Sequence, residues 1–131
     1  MKTPTTEGRA ALIFGASPKR DRMSNKAIRA YLEAGYRVIP VHPTEAVIEG
    51  LPTFPTIASV ADPGELLLLY VRPEIGLRAL PEAAASGIRR VYVNPGTGSE
   101  ELVSRIRSLG MEPIEACAIR ALGRFPSEFP D

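Results

Sequence analysis

The chain has 131 residues, enough for one domain with a proper core, and its 44% hydrophobic and 24% charged residues are ordinary for a globular protein. A formal net charge of +1 gives no global attraction to nucleic acid or to an anionic membrane, so any anion site has to be local. One cysteine, Cys117, and one histidine, His42, exclude an internal disulfide and a cysteine-based metal cluster, and no spacing of carboxylates points to a metal.

Residues 1–8 read as a polar, proline-containing leader without the apolar segment of a secretory signal, which makes the cytoplasm the expected location. No apolar run approaches the roughly 20 residues that span a bilayer. Ala10–Phe14 forms an apolar first strand, broken by the loop from Gly15 to Ser24. A helix is predicted to start at Ser24 or Asn25, with Ser24 as its N-cap. It buries Ala27, Ile28, Tyr31 and Leu32 at three- and four-residue spacing and ends at Gly35. Tyr36–Val41 is the second strand, stopped by His42-Pro43.

A looser connection follows, with prolines at 52, 55 and 63 and with Ile57, Val60 and Leu66 as its anchors. Leu66–Val71 is apolar on both faces, as a central strand of a parallel sheet has to be. A helix is predicted over Glu74–Ser86, then a strand over Arg90–Asn94 broken by Pro95–Gly98. Ser99 opens a further helix with Glu100 and Glu101 in its first turn, where negative charge suits the dipole, and Leu102, Val103, Ile106 and Leu109 are its buried stripe. Met111–Ile114 is a short last strand, one or two helical turns fall between Glu115 and Leu122, and residues 123–131 form a tail with two aromatics but no periodicity.

Strands alternating with helices predict an α/β fold: a single Rossmann-like, doubly wound domain over residues 9–122 with a mainly parallel sheet of about five strands. Ligands of such sheets bind outside the carboxyl ends of the strands, where Gly15–Ser24, His42-Pro43, Tyr70–Pro73 and Asn94–Gly98 converge. The first of these loops is the most informative. Its glycine-led turn exposes backbone N–H groups before a helix N-terminus, and Lys19, Arg20 and Arg22 add positive charge. That favours a phosphate-bearing ligand over a merely solvated loop.

The loop departs from the dinucleotide fingerprint, because no further glycine follows Gly15 before the helix. His42-Pro43 stands where an acid would hold a ribose diol, which argues against NAD. His42 reads as a strand-end residue or a nucleotide contact, and Arg72 as exposed or facing the crevice. Asn94 to Gly98 is either a plain turn or an anion site built from backbone N–H groups, and Cys117 is most simply a small buried residue.

Gly15-Ala16-Ser17-Pro18 followed by Arg22 and Ser24, Gly35–Val41 with Pro43, Val71-Arg72-Pro73-Glu74, the Asn94–Gly96 turn and Cys117 occur in an order and spacing that resemble the small CoA-binding domain family. That family is related to the CoA-binding domain of the succinyl-CoA synthetase alpha subunit. The resemblance runs over residues 9–122 and implies that Gly15, Ala16, Ser17, Pro18, Arg22 and Ser24, beside Lys19, hold phosphates. It also implies that His42 and Pro43 border the adenosine, and that Val71, Arg72 and Pro73 flank the ligand, with Asn94 and Gly96 further along the same edge. The chain has His42 where the family commonly has Asn, and Tyr92 and Asn94 where it often has Trp and Gln.

The expected function is therefore binding of coenzyme A or an acyl-CoA without catalysis. Two alternatives stay open: a nicotinamide- or CoA-thioester-dependent enzyme using His42 or Cys117, and a CoA-responsive regulatory module. Small-molecule nucleotide binding, self-association or a protein partner, and no nucleic acid or membrane, are the partner expectations.

Overall fold

The computed structural model describes residues 9–131, so the leader expected over residues 1–8 lies outside the described residues. In chain order the elements are β1 (Ala10–Phe14), α1 (Met23–Glu33), β2 (Arg37–Val41), β3 (Val47–Ile48), β4 (Leu51–Pro52) and β5 (Leu66–Leu69). They are followed by α2 (Pro73–Ala85), β6 (Arg90–Val93), α3 (Glu100–Ser108) and β7 (Glu112–Ile114), and then by short 3-10 turns at Arg120–Leu122 and Pro126–Glu128.

Five strands make one parallel sheet in the order β2-β1-β5-β6-β7. This is the α/β, Rossmann-like architecture the alternating pattern predicts. The chain leaves β1 toward β2 on one side and returns to β5 on the other, so the topological switch point lies between the carboxyl ends of β1 and β5. All four residues of β5 are buried, as are Ala11, Leu12 and Ile13 of β1, which explains why these strands read as unbroken apolar runs.

The two faces of the sheet carry separate cores. Leu12, Ile39, Leu67, Leu69, Val91 and Val93 pack with Leu80 of α2 and with Leu102 and Ile106 of α3. Ala11, Ile13, Val38, Leu66 and Leu68 pack with Ala27, Ile28 and Tyr31 of α1. On this second face Ala118, Ile119 and Phe129 fill the space beside the single helix, and the Tyr31 hydroxyl donates to the Ala118 carbonyl at 2.8 Å.

Three local expectations are corrected, and the tail gains a definite place. Helix α1 starts at Met23, with Arg22 as an N-cap that makes no side-chain capping bond, and Ser24 is buried inside the first turn rather than capping it. Leu32, expected in the buried stripe, is 37% exposed because the helix turns its last residues toward solvent. The connection after His42 holds an antiparallel hairpin, β3–β4, that buries Ile48. The tail is anchored: Phe129 is buried in the core on the α1 face.

Candidate functional site

The site begins with the turn out of β1. Gly15 has φ of 93°, and a Cβ there would lie 2.5 Å from the Tyr70 carbonyl oxygen and 2.7 Å from Val71 Cγ1. Only glycine lets the first loop pass this close to the end of β5. The Tyr70 N–H donates to the Phe14 carbonyl at 2.9 Å and the Ala16 N–H to the Val41 carbonyl at 3.3 Å, so the end of β1 is tied to the segment after β5 and the loop to the end of β2.

Beyond this turn lies an open cleft of about 540 Å³. Gly15, Ala16, Ser17, Lys19, Arg22, Ser24 and His42 line it, together with Asp21, Met23 and Tyr70. The start of α1 forms one wall. No acidic residue occupies the first turn of this helix and no side chain caps it, whereas α2 carries Glu74 and α3 has the Ser99 cap with Glu100 and Glu101. The positive end of the α1 dipole is thus left without a counter-charge from the helix itself.

The three loop cations divide. Arg20 turns away and lies 3.6 Å from the Glu49 carboxylate, lining a different depression. Lys19 and Arg22 face the cleft and form no ion pair among the described residues. Asp21 offsets part of their charge. The Ser17 hydroxyl accepts from the Lys19 N–H at 3.1 Å, and its own proton stays available to a ligand.

His42 closes the far side. Its N–H donates to the Phe54 carbonyl, and its Nδ1 accepts from the N–H groups of Thr44 at 3.1 Å and Glu45 at 2.9 Å. In the neutral ring this places the proton on Nε2, which makes that atom a donor. Tyr70 has its hydroxyl buried without a hydrogen-bond partner among the described residues, and burial, with a smaller contribution from nearby Cys117, pushes the phenol well above its ordinary range.

The remaining sequence-predicted residues do not join this cleft. Pro18 and Pro43 are exposed beside it. Pro73 is the first residue of α2, Val71 packs against the core on the α2–α3 face, and Arg72 is exposed with its guanidinium 3.3 Å from Glu74. Asn94 and Gly96 line a second cleft of about 660 Å³ further along the same strand-end edge, beside the start of α3. The Asn94 carboxamide is not free: it donates to the Leu69 carbonyl and accepts from the Ala118 N–H, both at 2.9 Å. It braces β5, β6 and the segment after β7, and only its surroundings are open to a ligand. Cys117 is half-buried and lines neither cleft.

Asp21, Met23 and Tyr70 lie in loops expected at this edge but are not among the residues the sequence singles out as ligand contacts. For Tyr70 a signal exists: a hydroxyl-bearing aromatic directly after four leucines, at the strand end beside the glycine turn.

The fold and the cleft define a Rossmann-like domain with its open site at the β1–β5 switch point. The model of the CoA binding domain family matches residues 9–122, and the chain belongs to this family. A hypothetical protein from Pyrococcus horikoshii OT3 is similar in structure, with a TM-score of 0.79 and 28% identity over 86% of this chain and 79% of that one. A conserved hypothetical protein from Pyrococcus furiosus superposes with a TM-score of 0.78 and 26% identity over 86% of this chain and 98% of that one. A dinucleotide-forming acetyl-coenzyme A synthetase from Ca. Korarchaeum cryptofilum, in complex with phosphate and ADP, shares the fold with a TM-score of 0.74 at 24% identity; the match covers 85% of this chain and 26% of the synthetase. Among the described residues, no helix is long and apolar enough to cross a membrane.

Proposed function

We propose that this protein binds coenzyme A or an acyl-CoA through the cleft at the β1–β5 switch point and is a binding domain without a reaction of its own. The observation that carries the reading is the wall of that cleft: a helix start without a side-chain cap or first-turn acids, flanked by Lys19 and Arg22, which form no ion pair among the described residues. Backbone N–H groups, the Ser17 hydroxyl and the Arg22 guanidinium suit phosphate oxygens, and arginine pairs with them bidentately. Membership of the CoA binding domain family supports coenzyme A as the nucleotide.

His42 and Pro43 border the adenosine in this reading, with the Nε2 proton directed to an acceptor on the nucleotide. Val71, Arg72, Pro73, Asn94 and Gly96 lie along the strand-end edge toward the second cleft, where the pantetheine arm runs. The titratable side chains at the first cleft do not form a nucleophile–base pair: His42 Nδ1 is committed to two backbone donors, and Cys117 stands elsewhere.

Thermal-shift titration with CoA, dephospho-CoA and NAD tests the ligand. The expected order of stabilisation is CoA, then dephospho-CoA, then NAD, because the first step removes the 3′-phosphate charge and the second replaces the pantetheine arm with a nicotinamide riboside that carries a positive charge toward a cationic site. Equal indifference to all three ligands overturns the reading.

A further inference from the structure

We infer that Asn25 and Arg29 are positioning residues for the ligand loop, a side-chain brace that holds its carbonyl groups away from the anion cleft; this rests on the reading of that cleft as a phosphate site. Asn25 and Arg29 lie one turn apart on α1, on the side facing the back of the loop. Asn25 is fully buried, and its Nδ2 donates to the Ser17 carbonyl at 3.0 Å and to Glu49 Oε2 at 3.1 Å. Arg29 Nε donates to Asn25 Oδ1 at 2.9 Å, and its terminal nitrogens donate to the carbonyls of Arg20 at 2.9 Å, Pro130 at 2.7 Å and Phe129 at 3.4 Å.

Two features make this more than ordinary packing. First, the carbonyls of Ser17 and Arg20 bracket the loop segment that bears Lys19. A carbonyl turned into the cleft would oppose a phosphate, and the brace engages both of these from the side of Arg29 and Glu49, which line a separate depression, while Lys19 and Arg22 line the cleft. Second, the brace has its own foundations. Glu49, at φ of 51° in the β3–β4 turn, holds Asn25 and Arg20 together, and Phe129, buried in the core, fixes the tail carbonyls that Arg29 grips. The hairpin and the tail, two parts with no place in the ligand cleft, are thereby coupled to its geometry.

The brace needs the shape of the guanidinium and not only its charge. Lysine keeps the charge but cannot serve four acceptors in a planar fork. Calorimetric titration of CoA therefore compares wild type with Arg29→Lys, Asn25→Ala and, as a matched exchange away from the cleft, Arg37→Lys. Amide hydrogen exchange of Ala16, Lys19 and Arg22 is read in the same proteins without ligand. The expected result is affinity about tenfold lower in Arg29→Lys, with an unchanged salt dependence, faster exchange of the three loop amides and wild-type behaviour in Arg37→Lys. Arg29→Lys keeps the helix and the charge, so it decides the matter even where Asn25→Ala fails to fold.

Wild-type affinity and wild-type loop exchange in Arg29→Lys overturn the brace. If the wild type itself does not bind CoA, the ligand reading fails, and loop exchange alone then decides the brace: unchanged protection in Arg29→Lys rejects it.

Discussion

Gly15 and Tyr70 meet where the first loop crosses the end of β5, and the approach leaves no room for a side chain at residue 15. A methyl group at residue 15 would have to displace the Tyr70 backbone, 2.5 Å away, at a φ that side chains rarely adopt. Gly15→Ala is expected to lower stability by about 2–4 kcal/mol in chemical denaturation and to weaken ligand binding with it. The two buried phenols predict opposite responses to the same edit. Tyr31→Phe removes the donor to the Ala118 carbonyl and should lose about 1–3 kcal/mol. Tyr70→Phe removes a buried hydroxyl that has no partner among the described residues, so its unfolding free energy should stay within about 1 kcal/mol of wild type, on the stabilising side.

At the scale of elements, legibility followed length and period. The β5 leucines, the Leu102–Ile106 stripe and the Ser99 cap, whose hydroxyl accepts from the Leu102 N–H at 3.1 Å, were readable because each signal is local and repeats within its element. Hairpin β3–β4 was not, since two-residue strands carry no period, and their pairing depends on a turn at Glu49-Gly50 that only the packed structure reveals. Ser24 misled for a related reason: a serine near a helix start resembles a cap, but the loop delivers Arg22 to that position and rotates Ser24 inward. Asn94 looked like a turn residue, and its two bonds link positions 25 and 24 residues away, contacts that no local pattern contains. Helix α2 carries Pro81 in its interior on an exposed position. Pro81→Ala restores a helix donor and should raise stability by about 1–3 kcal/mol, the restricted unfolded chain offsetting part of the gain; equilibrium denaturation reads it directly.

Over the whole molecule, the sheet order places four loops at one edge, and that much followed from alternation of strands and helices alone. What the pattern did not contain was how the edge divides. The structure gives two clefts, turns Arg20 back toward Glu49, and adds Asp21 and Tyr70 to the first cleft. Burial also gives the molecule a defined alkaline limit. It raises the phenols of Tyr31 and Tyr70 above their ordinary value of 10.0, so the folded state keeps protons that the unfolded chain releases. The stabilisation is fully present below about pH 10 and is lost as pH rises through the folded values, and Tyr70→Phe should make that decline shallower in pH-dependent denaturation.

In the proposed binding mode, Lys19 and Arg22 at the start of α1 hold the phosphate charge of the ligand. Calorimetric titration of CoA into wild type and into the Lys19→Gln/Arg22→Gln double variant tests it most directly. Wild-type binding should weaken as salt is raised, and the double variant should lose at least about tenfold in affinity and show a smaller salt dependence. Equal affinity in the two proteins at low salt would contradict it.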